Sequence, residues 1–136
     1  MVFETVDHVM FGDTDASGLG HFAAQVLLLE RAEYAFMEHV GASPREWFLR
    51  RYLFPRVRLE VNYSAPLRFA DTIQFAVQVG HLGRTSYSLA MRVTNLTTGR
   101  QAMDARMVIA VLDVQSERPV PVPDELRQAF QPYLVD

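Results

Sequence analysis

From residue 21 to residue 40 the chain reads His21-Phe22-Ala23-Ala24-Gln25-Val26-Leu27-Leu28-Leu29-Glu30-Arg31-Ala32-Glu33-Tyr34-Ala35-Phe36-Met37-Glu38-His39-Val40. Strong helix formers dominate, neither Pro nor Gly intervenes, and Gly41 supplies the stop expected just past a helix C-terminus. Phe22, Val26, Leu29, Ala32, Phe36 and Val40 form a stripe at helical spacing, while Leu27 and Leu28 face elsewhere. The first half is therefore apolar nearly all round, which predicts a long helix enclosed by other structure rather than lying on it. Gln25 alone interrupts the apolar run from Phe22 to Leu29.

The flanking segments supply the enclosing structure. Val2 to Phe11 is rich in β-branched and aromatic residues and predicts a strand. Gly12 to Gly20 is dense in Gly, Asp and Ser with no period of either kind, and predicts a loop. A short helix is expected over Pro44 to Leu49. Arg56 to Tyr63 alternates polar and apolar as a half-buried strand should, and Asp71 to Val79 does the same. Further strands are expected at Ser86 to Asn95 and Ala102 to Val114, joined by a turn at Thr97-Thr98-Gly99. Pro119, Pro121 and Pro123 then bar regular structure, and Pro123-Asp124-Glu125-Leu126 opens a final helix ending near Tyr133. The order is a strand, a long helix, then a meander of four strands. This predicts an α+β fold with about five antiparallel strands wrapped around one long central helix.

Composition narrows the function. The 136 residues carry no internal repeat or linker and predict a single domain, 1–136. With 49% hydrophobic and 21% charged residues the chain is globular rather than disordered. The absence of cysteine excludes disulfides, a thiolate nucleophile and thiolate metal sites. A formal net charge of -3 offers no broad basic field for nucleic acid or an anionic membrane surface. No apolar run is long enough to span a bilayer, and the first residues lack the pattern of a signal peptide, so a cytoplasmic protein is expected.

The chemistry concentrates in Phe11-Gly12-Asp13-Thr14-Asp15-Ala16-Ser17-Gly18-Leu19-Gly20-His21-Phe22. Two carboxylates two residues apart stand between a strand end and a helix start, where backbone N–H groups lack intrahelical partners and the helix dipole is positive. A carboxylate there can act as nucleophile or general base while nearby N–H groups polarise a carbonyl. The same pattern also describes a plain turn that begins a helix. His8, Asp13, Asp15 and His21 have none of the spacings of a zinc or calcium site, and no metal is expected.

Phe11-Gly12-Asp13-Thr14-Asp15-Ala16-x-Gly18, leading into Leu29-Glu30-Arg31-Ala32, resembles the N-terminal signature of the 4-hydroxybenzoyl-CoA thioesterase family of the hotdog superfamily. Val61-Asn62-Tyr63-Ser64-Ala65-Pro66-Leu67-Arg68-Phe69-Ala70-Asp71 is similar to the family's strand, bend and acidic residue, and Gly83-Arg84-Thr85-Ser86 to its turn before the next strand. The resemblance implies a hotdog fold, hydrolysis of an acyl-CoA thioester, and assembly as a homodimer or homotetramer with sites between subunits. It implies Asp15 as the catalytic carboxylate; His21, one place earlier than the histidine of many acyl-CoA thioesterases of this group, is a candidate accessory acid or hydrogen-bond donor by its own chemistry. N–H groups of Gly20, His21 and Phe22 would form the oxyanion site, and Arg84, Thr85 and Ser86 would contact the CoA nucleotide. No cofactor is implied, because CoA is part of the substrate.

The family commonly carries Asn or His where this chain has Phe22, Ala23, Ala24 and Gln25. That departure leaves a non-catalytic acyl-CoA-binding module as the alternative. Asp13 is expected to hold the loop, Asp71 to serve a turn, and Glu30 to be a structural partner on the helix.

Overall fold

The computed structural model describes residues 1–135, and position 136 of the expected domain lies outside them. The chain begins with β1 (Phe3–His8), makes a 3-10 turn at Phe11–Asp13 and, after the loop, enters α1 (Ala24–His39). It continues through α2 (Pro44–Leu49), β2 (Tyr52–Leu53), β3 (Arg56–Tyr63), β4 (Thr72–Leu82), β5 (Ser86–Asn95), β6 (Arg100–Ala110) and β7 (Leu112–Asp113). It closes with α3 (Asp124–Phe130) and a 3-10 turn at Gln131–Tyr133. The class is α+β. Five antiparallel strands form one sheet in the order β1-β4-β5-β6-β3, and β2 pairs with β7 in a separate ribbon that the sequence pattern did not announce.

The meander expected from four successive strands holds only for β4, β5 and β6. β3 pairs with β6, Tyr63 opposite Met103, while β1 takes the free edge of β4 with Phe3 opposite Val77. Between β3 and β4 the chain therefore crosses the end of the sheet through residues 64–71. Leu67, fully buried, anchors that crossing, and truncating it to alanine would cost about 2–5 kcal/mol. Asp71 fastens its far end: one carboxylate oxygen accepts the Arg68 N–H at 2.9 Å and the Asn95 carboxamide at 2.7 Å, and its carbonyl accepts the Val9 N–H.

The core lies between α1 and the inward sheet face, with Leu28, Leu29, Ala32 and Phe36 of the helix in one cluster with Phe75, Val77, Leu89, Val93 and Met103. α1 is shorter than its sequence pattern suggested, 16 residues rather than the stretch from His21 to Val40. Its start is displaced because the His21 ring Nδ1 accepts the N–H groups of Ala23 and Ala24 at 3.2 and 3.4 Å, as an N-cap side chain does. It stops as expected at Gly41, whose φ of 75° suits glycine, with the Ala42 N–H closing back on Met37 O at 2.8 Å.

Nor is the helix enclosed all round within one chain: Phe22 just ahead of it is 69% exposed, and Leu27 and Tyr34 are each 56% exposed. β3 differs from expectation in the same sense. Its alternation predicted a half-buried strand, yet only Val61 is partly covered, because β3 is the sheet edge and the core cluster reaches it only at Val61. Among the described residues no helix is long and apolar enough to cross a membrane.

Candidate active site

The loop between the 3-10 turn and α1 is built by its own polar groups. The Asp15 N–H donates to Leu19 O at 3.0 Å and Asp15 O accepts the Gly18 N–H at 2.9 Å, a tight turn that Gly18 permits with φ 82°. Thr14 bridges to Gly20 and Leu19 to Arg68, so the loop is stitched to itself and to the crossing segment. Asp15 is thereby held at the surface with its carboxylate facing solvent. The Ser17 hydroxyl and then the Ser17 N–H, both donating to Oδ1, hold the Asp15 carboxyl below its usual value, with a further contribution from the nearby His21. Asp15 is therefore an anion across the neutral range.

The helix start divides the three candidate oxyanion donors. The Gly20 N–H is spent on Leu67 O at 2.7 Å and the His21 N–H on Asp13 O at 2.9 Å. Among the described residues the Phe22 N–H has no acceptor, which leaves it as the donor open to a ligand. The Tyr63 hydroxyl donates to Phe22 O at 2.6 Å and fixes that peptide plane from the end of β3. His21, with Nδ1 receiving two N–H groups, presents Nε2 as its remaining donor, and its ring stacks on Phe22 with centroids 4.9 Å apart.

Asp13 holds the loop, and does so with a partner that the sequence did not single out. One carboxylate oxygen accepts the Met10 N–H at 2.8 Å, and the Arg31 guanidinium lies 3.4 Å away. Arg31 also reaches Asp7 at 3.1 Å and His8 O at 3.2 Å, joining α1, β1 and the loop. Glu30, beside it, is exposed.

A cleft of about 360 Å³ opens next to Phe22, lined by Leu19, Gly20, Phe22, Gln25, Tyr63, Ala65 and Pro66. Asp15 is not in its wall. A wider trough lies on the outer face of the sheet among Glu4, Glu60, Arg92, Asp104 and Arg106, away from the loop and with charges of both signs. The cleft beside Phe22 is lined by the residue that carries the open N–H donor and by Leu19, whose carbonyl accepts the Asp15 N–H.

Arg84, Thr85 and Ser86 do not join this site within one chain. Their turn is closed by the Gly83 N–H on Ser86 O and tied down by Arg127, which donates to Gly83 O at 2.7 Å, and by Val122 and Val111. The Arg84 guanidinium is exposed, with no carboxylate partner among the described residues. β4 runs from the Asp15 end of the sheet to this turn, and its 11 residues span roughly 35 Å.

Sequence reasoning passed over Arg31, Ser17, Tyr63 and Gln25. Ser17, two residues after Asp15, has the spacing of a side chain that closes an Asx turn, and Gln25 is the lone polar residue in an apolar first turn; both signals were legible. Arg31 and Tyr63 act across 18 and 41 positions of sequence, and no local pattern reports that.

Comparison with known proteins shows the family to which the chain belongs. The model of the thioesterase-like superfamily matches residues 9–130. A 1,4-dihydroxy-2-naphthoyl-CoA hydrolase of Synechococcus elongatus is 26% identical over 125 residues, covering 90% of each chain. The acyl-CoA thioester hydrolase YbgC of Escherichia coli O157:H7 is 24% identical over 123 residues, covering 90% of this chain and 91% of its own. Among solved structures, a gentisyl-coenzyme A thioesterase superposes with a TM-score of 0.82 at 25% identity, covering 96% of this chain and 99% of its own. A 1,4-dihydroxy-2-naphthoyl-CoA thioesterase from Synechocystis reaches a TM-score of 0.90 over 96% of both chains at 14% identity, a likeness of fold alone. The resemblance is thereby shown at the level of the thioesterase-like superfamily.

Proposed function

The chain belongs to the thioesterase-like superfamily, and from that membership we propose that it is an acyl-CoA thioester hydrolase of hotdog-like fold in which Asp15 is the catalytic carboxylate. The observation that carries the reading is a solvent-facing anion at Asp15 one short loop away from the open Phe22 N–H at the start of α1. A thioester carbonyl that accepts this N–H gains stabilisation as its oxygen becomes anionic, and the positive end of the helix dipole adds to it. Asp15 then either attacks the carbonyl carbon or takes a proton from an attacking water. In the first case the CoA thiolate leaves and water hydrolyses the aspartyl anhydride; in the second the tetrahedral adduct expels the thiolate directly. Each route converts thioester and water into carboxylic acid and CoA thiol. His21, with Nδ1 occupied as an acceptor, would act through its remaining ring N–H as a donor to the substrate or leaving group.

The acyl-CoA site is completed by a second copy of the chain, in a homodimer or a higher assembly of such pairs. β3 runs from the Arg84 end, where Arg56 and Tyr87 both pair with Ile109, to the Phe22 end, where Tyr63 holds Phe22 O. Antiparallel pairing of two β3 edges would set the Arg84 turn of one chain beside the Asp15 loop of the other. Exposed Val57 and Leu59 on β3 and exposed Leu27 on α1 would be covered by the same contact. CoA bound across that seam would place its phosphates on Arg84, Thr85 and Ser86 and its thioester at Asp15. The apolar cleft beside Phe22 and the acyl groups named for the relatives favour an aromatic acyl group. Free-thiol release from a panel of aromatic and aliphatic acyl-CoAs tests the reading. Turnover of aromatic acyl-CoAs is expected, and a panel with no turnover at all would overturn it.

A further inference from the structure

The chain enters α1 through two peptide planes that meet at Phe22. The first joins His21 to Phe22 and carries the open N–H; its carbonyl, His21 O, accepts the Gln25 N–H at 2.9 Å. The second joins Phe22 to Ala23. Its N–H reaches the His21 ring Nδ1 at 3.2 Å, an acceptor shared with the Ala24 N–H at 3.4 Å, so this side is held weakly. Its carbonyl is Phe22 O. An α-helix would give that oxygen the N–H four residues on, but the Val26 N–H turns to Ala23 O at 3.1 Å instead. The Tyr63 hydroxyl takes its place, donating to Phe22 O at 2.6 Å.

Tyr63 is the last residue of β3 and lines the cleft beside Phe22. Its hydroxyl hydrogen is committed to Phe22 O, so in this arrangement it is not a proton source for a departing thiolate. The residue is 46% exposed, and a hydrogen bond so open to water adds only modestly to the stability of the fold. What the bond fixes is the second of the two planes at Phe22, which is otherwise held only by the long, shared bond to His21. The open N–H belongs to the residue where those planes meet. Its direction is therefore set from both sides, by Gln25 on one and by Tyr63 on the other.

Resting on the thioesterase reading, we propose that Tyr63 is a positioning residue for the reaction: its hydroxyl, through Phe22 O, holds the Phe22 N–H on the position that the thioester oxygen takes up as it becomes anionic. Tyr63 acts only through Phe22 and takes no part in making or breaking bonds. A preorganised donor counts most where charge develops and little toward a neutral ground state, so its misalignment lowers kcat rather than substrate affinity.

Tyr63→Phe removes the hydroxyl and keeps the ring in the wall of the cleft. With an acyl-CoA that the unmodified chain hydrolyses, kcat should fall by about 10-fold or more while KM stays within about 2-fold. An S-alkyl CoA thioether, which has no carbonyl to polarise, should bind both proteins with equal Kd. The melting temperature should drop by a few degrees at most. Backbone 15N relaxation gives a readout apart from turnover: the Phe22 and Ala23 amides should become more mobile in the variant while the middle of α1 does not. An unchanged kcat overturns the proposal, as does unchanged relaxation at Phe22. A raised KM with kcat intact, or weakened thioether binding, would assign the hydroxyl to substrate binding and overturns it too. A variant that fails to fold would make the bond a structural tie, with the same result. If the unmodified chain hydrolyses no acyl-CoA, the thioesterase reading falls and this proposal with it, whereas hydrolysis that Tyr63→Phe leaves intact removes the Tyr63 role alone.

Discussion

The guanidinium of Arg31, in the middle of α1, lies 3.4 Å from the buried carboxylate of Asp13, two residues before Asp15. A helix residue thus sets the position of the loop that carries the candidate anion. Arg31 is about one-third exposed, so the pair itself stabilises the fold modestly, by ~1 kcal/mol or less. Arg31→Met should therefore lower the melting temperature by only a few degrees. If Asp15 is the catalytic carboxylate proposed above, kcat should also fall by roughly 10-fold, because the loop that carries it is less well held. A kcat equal to that of the unmodified chain would dissociate the clamp from the chemistry.

Asp15→Asn keeps the shape of the side chain and an oxygen to accept from Ser17, and removes charge and basicity. A loss of about 10³-fold or more in kcat, worth roughly 4 kcal/mol, is expected with little change in melting temperature. Asp13→Asn, which alters a loop support, should cost less in rate and more in stability. Turnover measured for both variants beside thermal unfolding would reveal a reversed pattern at once.

The Ser17 hydroxyl is the largest contributor to the lowered Asp15 value. Because that bond favours the charged form, Ser17→Ala should move the Asp15 carboxyl upward toward its ordinary 3.8. The acidic limb of kcat/KM should shift to higher pH in the variant, while the rate at pH 7 changes little. Overlapping acidic limbs would mean that another group controls them.

Glu33, on the buried side of α1, is held by Arg56 of β3, yet burial outweighs that partner and raises its carboxyl above the usual 4.5. Between the unfolded value and the raised folded one the native chain binds more protons, so this group's contribution to stability falls as pH rises. Lowering the pH from 7 toward 5 should therefore raise the melting temperature of the unmodified chain relative to Glu33→Gln. A difference that stayed constant or reversed across that range would contradict the burial argument.

Asp15 and Arg84 stand at opposite ends of the sheet in one chain, so a shared site predicts complementation between subunits. Asp15→Asn and Arg84→Glu, unfolded and refolded together, should form hybrids in which about one quarter of all sites carry both original residues. At low acyl-CoA concentration the mixture should exceed the summed activity of the two variants refolded apart. Equality with that sum would show that each chain works alone.

The local signals in the sequence determined most of the elements. Arg56–Tyr63 and Ser86–Asn95 coincide with β3 and β5, Gly41 ends α1, and Pro44 opens α2, because period, caps and turn residues act over a few positions. The Asp15 loop was legible for the same reason, its Gly, Asp and Ser being the residues a turn ahead of a helix requires. Tertiary structure decided the rest. Whether β3 lies beside β4 or beside β6 leaves its alternation unchanged, and only the crossing anchored by Leu67 and Asp71 makes it an exposed edge. Which helix-start N–H stays open depends on Leu67 O and Asp13 O, brought up by the fold. The separation of Arg84 from Asp15, like the clamp of Arg31 on Asp13, is a distance between segments far apart in sequence. Hydrophobic periodicity records which face is buried, but not which buried face meets which.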